Sequence, residues 1–316
     1  MSTSTNGSWR IFRGDGVPRS VTMPPAPPWR RFRSPGRPPA PLPYLIAPEH
    51  ADIVNAALHL RRPLLVTGPA GTGKSSLARA VAHELNLGEV LRWPVNSRSG
   101  VHDALYRYDA IGRLRETTLS RDRGEAEPSI GTFIRLGPLG TALAPHDIPR
   151  ALLIDEMDKG DVDLPNDLLT VFEEGVFEIP ELARLPEDMA DVEVLTADHR
   201  GSTTVHAGQV QCTEFPVVVI TSNGERDFPP AFLRRCIRLD LPAPDEGRLR
   251  EIVAAHLGPQ VLSEVEDLLQ AFLQRRAPGE LATDQLLNAV FLRLGGVDLD
   301  ADSLLDAVLH RLTGTV

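Results

Sequence analysis

The stretch LLVTGPAGTGKSSLARAVAHEL, Leu64 to Leu85, limits the fold more than any other part of the chain. Pro63 to Thr67 reads as a buried parallel strand. It breaks into glycines at 68, 71 and 73 and then into helical periodicity. The spacing fits G-x-x-x-x-G-K-[ST] through Gly68, Gly73, Lys74 and Ser75. Glycines let the loop wrap so that backbone N–H groups face an anion, and the helix start adds partial positive charge at the same spot. The chain has 33 Lys plus Arg, yet only Lys74 and Lys159 are lysines. A compact ammonium reaches between phosphates, where the planar fork of arginine would not substitute well. Ser75 supplies a hydroxyl for Mg²⁺. The loop Gly68, Pro69, Ala70, Gly71, Thr72, Gly73, Lys74, Ser75, Ser76 is therefore expected to hold a nucleoside triphosphate. The pattern alone does not say what the triphosphate is used for.

The 316 residues suffice for one large domain and a small one. No run approaches the roughly 18 apolar residues of a membrane span, and the N-terminus has no apolar core of signal-peptide type. Two cysteines, Cys212 and Cys236, make no disulfide framework. A cytoplasmic setting is the expectation. There is no HExxH and no Cys-x-x-Cys, so no zinc site is read. The net charge of −10 hides an asymmetry. Residues 1–43 hold seven arginines, one acid (Asp15) and ten of the 28 prolines, and are expected to form a disordered Pro/Arg-rich basic arm. Residues 242–316 hold twelve acids and six arginines. Trp9, Trp29 and Phe32 offer stacking faces for nucleic acid, but a solvated linker is the favoured reading of the arm.

From Ile46 the pattern is globular. Helices are expected at 48–60, from the loop to about Leu85, at 101–118 and at 162–175, strands at 63–67, 89–96 and from Phe215, and a buried strand ending in acids over 150–160. TFIRLGPLGTAL (132–143) reads as two short strands around Gly137-Pro138. Residues 176–214 read as an extended hairpin with a polar tip. PPAFLRRC (229–236) reads as a short helix, IRLDLP as a last strand, and the rest as about four helices. Continuous Val/Ile/Leu strands alternating with helices mean a parallel sheet covered on both faces. The phosphate loop then sits at the carboxyl edge of the strands. The expected organisation is an α/β nucleotide-binding core over 44–241 and a small all-helical domain over 242–316.

Three further constellations point to that edge. LLIDE ends a buried strand on Asp155 and Glu156. Beside a phosphate loop, Asp155 with Ser75 is placed to hold Mg²⁺, and Glu156 to act as general base on an attacking water. VVVITSN brings Asn223 to the same edge, where an amide can orient that water; a turn before Gly224 explains it equally well. FLRRC ends in Arg234 and Arg235, which serve either as helix C-terminal charges or as a finger into a neighbour's site.

The order of these parts resembles the AAA+ ATPases, and among them the MoxR-like branch related to dynein-type modules. The stretches GPAGTGKSS, LLIDEMDKG, VVVITSNGERDFPPAFLRRC and LDLPAPD carry the resemblance, with FIRLGPLGTAL similar to the hairpin the family inserts in the helix after its second strand. It spans roughly residues 45–290. It implies Lys74 and Ser75 as Walker A residues, Asp155 and Glu156 as Walker B, Asn223 as sensor 1, and Arg235 as arginine finger with Arg234 beside it. It implies a P-loop NTPase core with a helical lid, ATP and Mg²⁺ as ligands, and homo-oligomeric rings, usually hexamers. Such rings remodel partner proteins that often carry a von Willebrand factor A domain. The chain departs from the pattern at LATDQLLNAV, where Asp284 stands about where a sensor 2 arginine is expected. Either Arg293 substitutes or the lid does not read the γ-phosphate directly. A slow-turnover nucleotide-gated switch in a signalling or defence system is the alternative, and a small-molecule kinase a distant third.

Overall fold

Each buried apolar run near the phosphate loop becomes a strand of one parallel sheet. The computed structural model describes residues 9, 11–31, 43–198, 201–275, 281–299 and 302–309. By internal contacts the chain divides into a larger unit, Ile46–Pro69 with Gly73–Leu241, and a smaller one, Met1–Leu45 with Ala70–Thr72 and Pro242–Val316.

The larger unit opens with α1 (Pro48–Leu60), β1 (Leu64–Thr67), α2 (Lys74–Glu84) and β2 (Leu91–Pro94). Then follow α3 (Val101–Leu105), β3 (Tyr106–Tyr108), α4 (Ala110–Arg123), β4 (Ile134–Leu136) and α5 (Pro138–Leu143). Next come β5 (Ala151–Asp155), α6 (Leu164–Glu174), β6 (Val176–Glu178) and α7 (Pro180–Ala183). The unit closes with β7 (Asp191–Leu195), β8 (Ser202–His206), β9 (Gln209–Gln211), β10 (Val217–Ser222), α8 (Pro230–Leu233) and β11 (Ile237–Asp240). Five strands form an all-parallel sheet in the order β11-β1-β10-β5-β2. Its central strands are buried along their length, which is why they read as unbroken Leu/Ile/Val runs. A second sheet, β3-β4-β7-β8-β9-β6, is mostly antiparallel. One apolar core joins the two, with Leu65, Leu152, Ile154 and Ile220 from the first sheet and Ile134, Leu136, Val194 and Val205 from the second.

Two expectations are corrected. The helix expected over 101–118 is broken at Tyr106–Tyr108, which pairs antiparallel with Ile134–Leu136. Tyr106 is buried there and stacks on Phe177, and Asp109 then caps the first turn of α4 through Gly112 N. The second strand expected after Gly137 is instead α5, with Pro138 in its first turn and Leu139 to Leu143 all buried. Proline at that position favours a helix start and lacks the N–H that a ladder needs. The hairpin expected in 176–214 is present as β7 and β8, paired over five residues each, but β6 and β9 extend it into the second sheet. Its tip includes residues 199–200, outside the described residues.

The smaller unit has α9 (Glu246–Leu257), α10 (Glu266–Arg275), α11 (Thr283–Leu294) and α12 (Asp302–Val308). They pack on their own core around Leu249, Leu268, Phe272, Leu286 and Val290. Trp29 joins this core: its Nε1 donates to Asn288 Oδ1 at 3.0 Å, and its ring meets Phe291 edge-on at 5.9 Å. Of the arm over 1–43, residues 1–8, 10 and 32–42 lie outside the described residues, Phe32 among them. No described helix is long and apolar enough to cross a membrane.

Candidate functional site

β1 lies between β10 and β11, so the loop that follows it leaves an interior strand of the parallel sheet. Gly68 has φ +140, and a Cβ there would stand 2.1 Å from the Leu241 carbonyl oxygen. No other residue fits at that position without moving backbone. Gly73, at φ +89, turns the chain into α2, whose first turn has no side-chain cap. Its helix start is open to an anion. Pro69, Ala70, Gly71 and Thr72 continue the loop, and Ser75 and Ser76 lie in the first turn of α2. Lys74 is buried, and its Nζ donates to the carbonyls of Gly68 at 2.7 Å and Pro69 at 2.8 Å. Burial lowers its pKa, opposed by the negative charges of Asp158, Asp155 and Glu156.

β5 and β10 bring the remaining groups to the same edge. Asp155 Oδ1 accepts from Ser75 Oγ at 2.6 Å and from Thr221 Oγ1 at 2.9 Å. Its Oδ2 accepts from Arg92 Nη2 at 2.5 Å and Nε at 3.1 Å. Burial alone would raise this carboxyl, but the bonds from Ser75, Arg92 and Thr221, with the Arg92 charge, hold it below the usual carboxylate range. Glu156 has a left-handed backbone, φ +61, rare for a residue with a Cβ and costing about 1–2 kcal/mol. Its N–H donates to Thr221 Oγ1 at 2.9 Å, so one threonine ties both acids to β10. Its carboxylate pairs with Lys159 Nζ at 2.9 Å, where both side chains are partly solvated. That bond raises the Lys159 pKa.

Asn223 follows β10. Its backbone N–H donates to Asp158 Oδ2 at 2.8 Å, as does that of Glu225 at 3.1 Å. Asp158 is 6% exposed, and its Oδ1 has no hydrogen-bond partner among the described residues. The Asn223 amide reaches Glu225 Oε1 at 3.4 Å. Arg234 and Arg235 directly follow α8, in a separate network. Arg235 Nε pairs with Glu173 of α6, its Nη1 donates to Ala231 O at 3.1 Å, and the Arg234 carbonyl accepts from Arg62 at 2.8 Å. Next to them, burial pushes the Cys236 thiol up to about 12. In the smaller unit Asp284 is exposed, and Arg293 pairs with Asp267 of α10 at 3.1 Å from the last turn of α11.

Four residues of this site escaped the sequence: Arg92, Asp158, Lys159 and Thr221. Lys159 carried a signal, as the second of two lysines, and Asp158 stands two residues after Glu156. Arg92 carried none, being one arginine among many. A serine hydroxyl and a carboxylate 2.6 Å apart are hard oxygen donors of the kind Mg²⁺ takes with only one or two protein ligands. No cluster of three or more His, Cys, Asp or Glu suited to a metal occurs among the described residues.

A protein family described as AAA domain (Cdc48 subfamily) matches residues 62–231. No curated protein matches. Among solved structures, NtrX from Brucella abortus in complex with ADP is similar at 17% identity and TM-score 0.40. The alignment covers 82% of this chain and 53% of that one, so this chain spans about half the length of that protein.

Proposed function

The chain belongs to the AAA domain family, Cdc48 subfamily, and from that premise we propose that it binds ATP with Mg²⁺, hydrolyses it, and uses the cycle as a MoxR-like ring to remodel a partner protein. Its parallel core sheet followed by helices is the AAA+ type of α/β fold. The observation that carries the reading is the contact of Ser75 with Asp155 at 2.6 Å, which joins the phosphate loop to the acidic strand end.

In this reading the loop N–H groups of 68 and 70–76 and Lys74 bind the β- and γ-phosphates, and Ser75 and Asp155 hold Mg²⁺. The cation neutralises charge on the phosphate oxygens when bound. Glu156 accepts the proton of the attacking water, and Asn223 orients that water. Arg235 offers its guanidinium to the transition-state charge in a neighbouring subunit, with Arg234 beside it. The assembly is a homo-oligomer, hexameric by resemblance, working in the cytoplasm on a partner that carries a von Willebrand factor A domain. The basic arm is read as a linker rather than a nucleic-acid site, with Trp29 held against the core of the smaller unit.

A second reading, a slow nucleotide-gated switch, is favoured by the pairing of Glu156 with Lys159 and of Arg235 with Glu173. Both catalytic groups then have to leave an intrachain partner before each turnover. The two readings separate on ATPase rate against protein concentration together with the Glu156→Gln variant. A ring enzyme gains specific activity as it assembles, and Glu156→Gln binds ATP but loses on the order of 100-fold in single-turnover rate. A low rate at every concentration favours the switch. Unchanged hydrolysis in Glu156→Gln refutes the assignment of the base.

A further inference from the structure

We propose that Arg92 competes with the divalent cation for Asp155, so that metal loading requires this arginine to let go and Arg92 sets the metal affinity of the site. The inference rests on the Mg²⁺ reading above and concerns a residue that reading does not use. An ionised carboxylate has about four lone-pair sites. Asp155 fills all four: Oδ1 accepts from Ser75 and Thr221, and Oδ2 accepts twice from Arg92. A cation that binds this carboxylate must displace one donor.

The three donors are not equally easy to displace. Thr221 is 1% exposed, and its hydroxyl also accepts from Glu156 N, so its removal would strand two groups. Ser75 is a ligand that the cation itself needs. The Arg92 side chain is 54% exposed, on the edge strand β2 of the parallel sheet, and can exchange its bonds for water. It is also the only one of the three donors that carries positive charge, so it and a divalent cation repel when both lie against one carboxylate. Sterics, hydration and charge all select Arg92 as the group that leaves. Its planar fork gives both bonds to a single oxygen, a contact that a lysine cannot reproduce.

The test uses the full chain and Mn²⁺ as probe, read by electron paramagnetic resonance with and without ADP. ADP affinity is measured separately in EDTA, and melting temperatures check folding. Arg92→Gln is expected to bind Mn²⁺ about tenfold more tightly than wild type, with ADP affinity in EDTA unchanged. Arg92→Lys, a point charge that makes one bond at most, is expected to gain about threefold. If Arg92→Gln unfolds, Arg92→Lys carries the test. Equal or weaker Mn²⁺ binding in the folded variants overturns the proposal and shows Arg92 to be a support of Asp155. Wild-type protein that binds neither ADP nor Mn²⁺ overturns the nucleotide reading, and this proposal with it. ADP binding that survives beside identical Mn²⁺ curves overturns the proposal alone.

Discussion

Asp158→Ala tests how the Asn223 loop is held. The Asp158 carboxylate takes two backbone N–H groups, from Asn223 and Glu225, on one oxygen. Hydrogen bonds to a charged group contribute about 1.5–3 kcal/mol each. Two lost bonds therefore cost about 3–6 kcal/mol before compensation. Two effects reduce this. The Asn223 loop is only half-buried, so water reaches the freed amides. The buried Oδ1 has no partner among the described residues, so its desolvation cost disappears with the side chain. A net loss of about 1–3 kcal/mol is expected, read by urea unfolding. Turnover should suffer more than stability, because a displacement of about 1 Å in a positioning group can cost about 100-fold in rate. We expect kcat to fall at least tenfold with nucleotide affinity within about threefold. Asp158→Asn keeps an acceptor oxygen for both amides and should stay near wild type in rate. Wild-type turnover in Asp158→Ala would refute the reasoning. So would Asp158→Asn failing as badly as Asp158→Ala, since charge and not the loop contact would then be what counts.

The other predictions probe the loop, the acid and the finger. Gly68→Ala places a Cβ 2.1 Å from the Leu241 carbonyl at φ +140, and should cost more than about 2 kcal/mol in denaturant unfolding. A variant as stable as wild type would mean the loop relaxes freely. Asp155 titrates lower in the folded chain than unfolded, so the stability its charge contributes is present above about pH 5. It is lost as pH falls through the lowered value. The stability difference between wild type and Asp155→Asn should therefore shrink from pH 5 to pH 3, and a difference that grows on acidification contradicts the assignment. Arg235→Ala should bind ATP normally and not hydrolyse it, and mixing it with inactive Lys74→Ala should restore part of the activity. Mixed assemblies, confirmed by mass, that stay inactive at every ratio would leave Arg235 with a structural role only, paired with Glu173 and the Ala231 carbonyl.

The sequence alone determined the elements whose cause is local. GPAGTGKSS specifies a tight loop into a helix through its glycines and spacing, and the apolar runs Leu64–Val66, Ala151–Ile154 and Val217–Ile220 specify strands buried on both faces. Residues that end such strands must meet at one edge, so Ser75, Asp155 and the Asn223 loop could be placed together before any coordinates. What stayed hidden depended on pairing across long separations. Residues 101–118 have helical spacing, but Tyr106–Tyr108 gains more by pairing with Ile134–Leu136 and burying Tyr106 than by continuing a helix. Arg92 and Asp155 lie 63 residues apart, and Asn223 and Asp158 lie 65 apart. Which acid takes which donor is decided by the strand order β11-β1-β10-β5-β2, which sets β2 and β10 on either side of β5. A charged side chain pairs with the group its neighbouring strand brings within hydrogen-bond reach, and only the assembled sheet determines that neighbour.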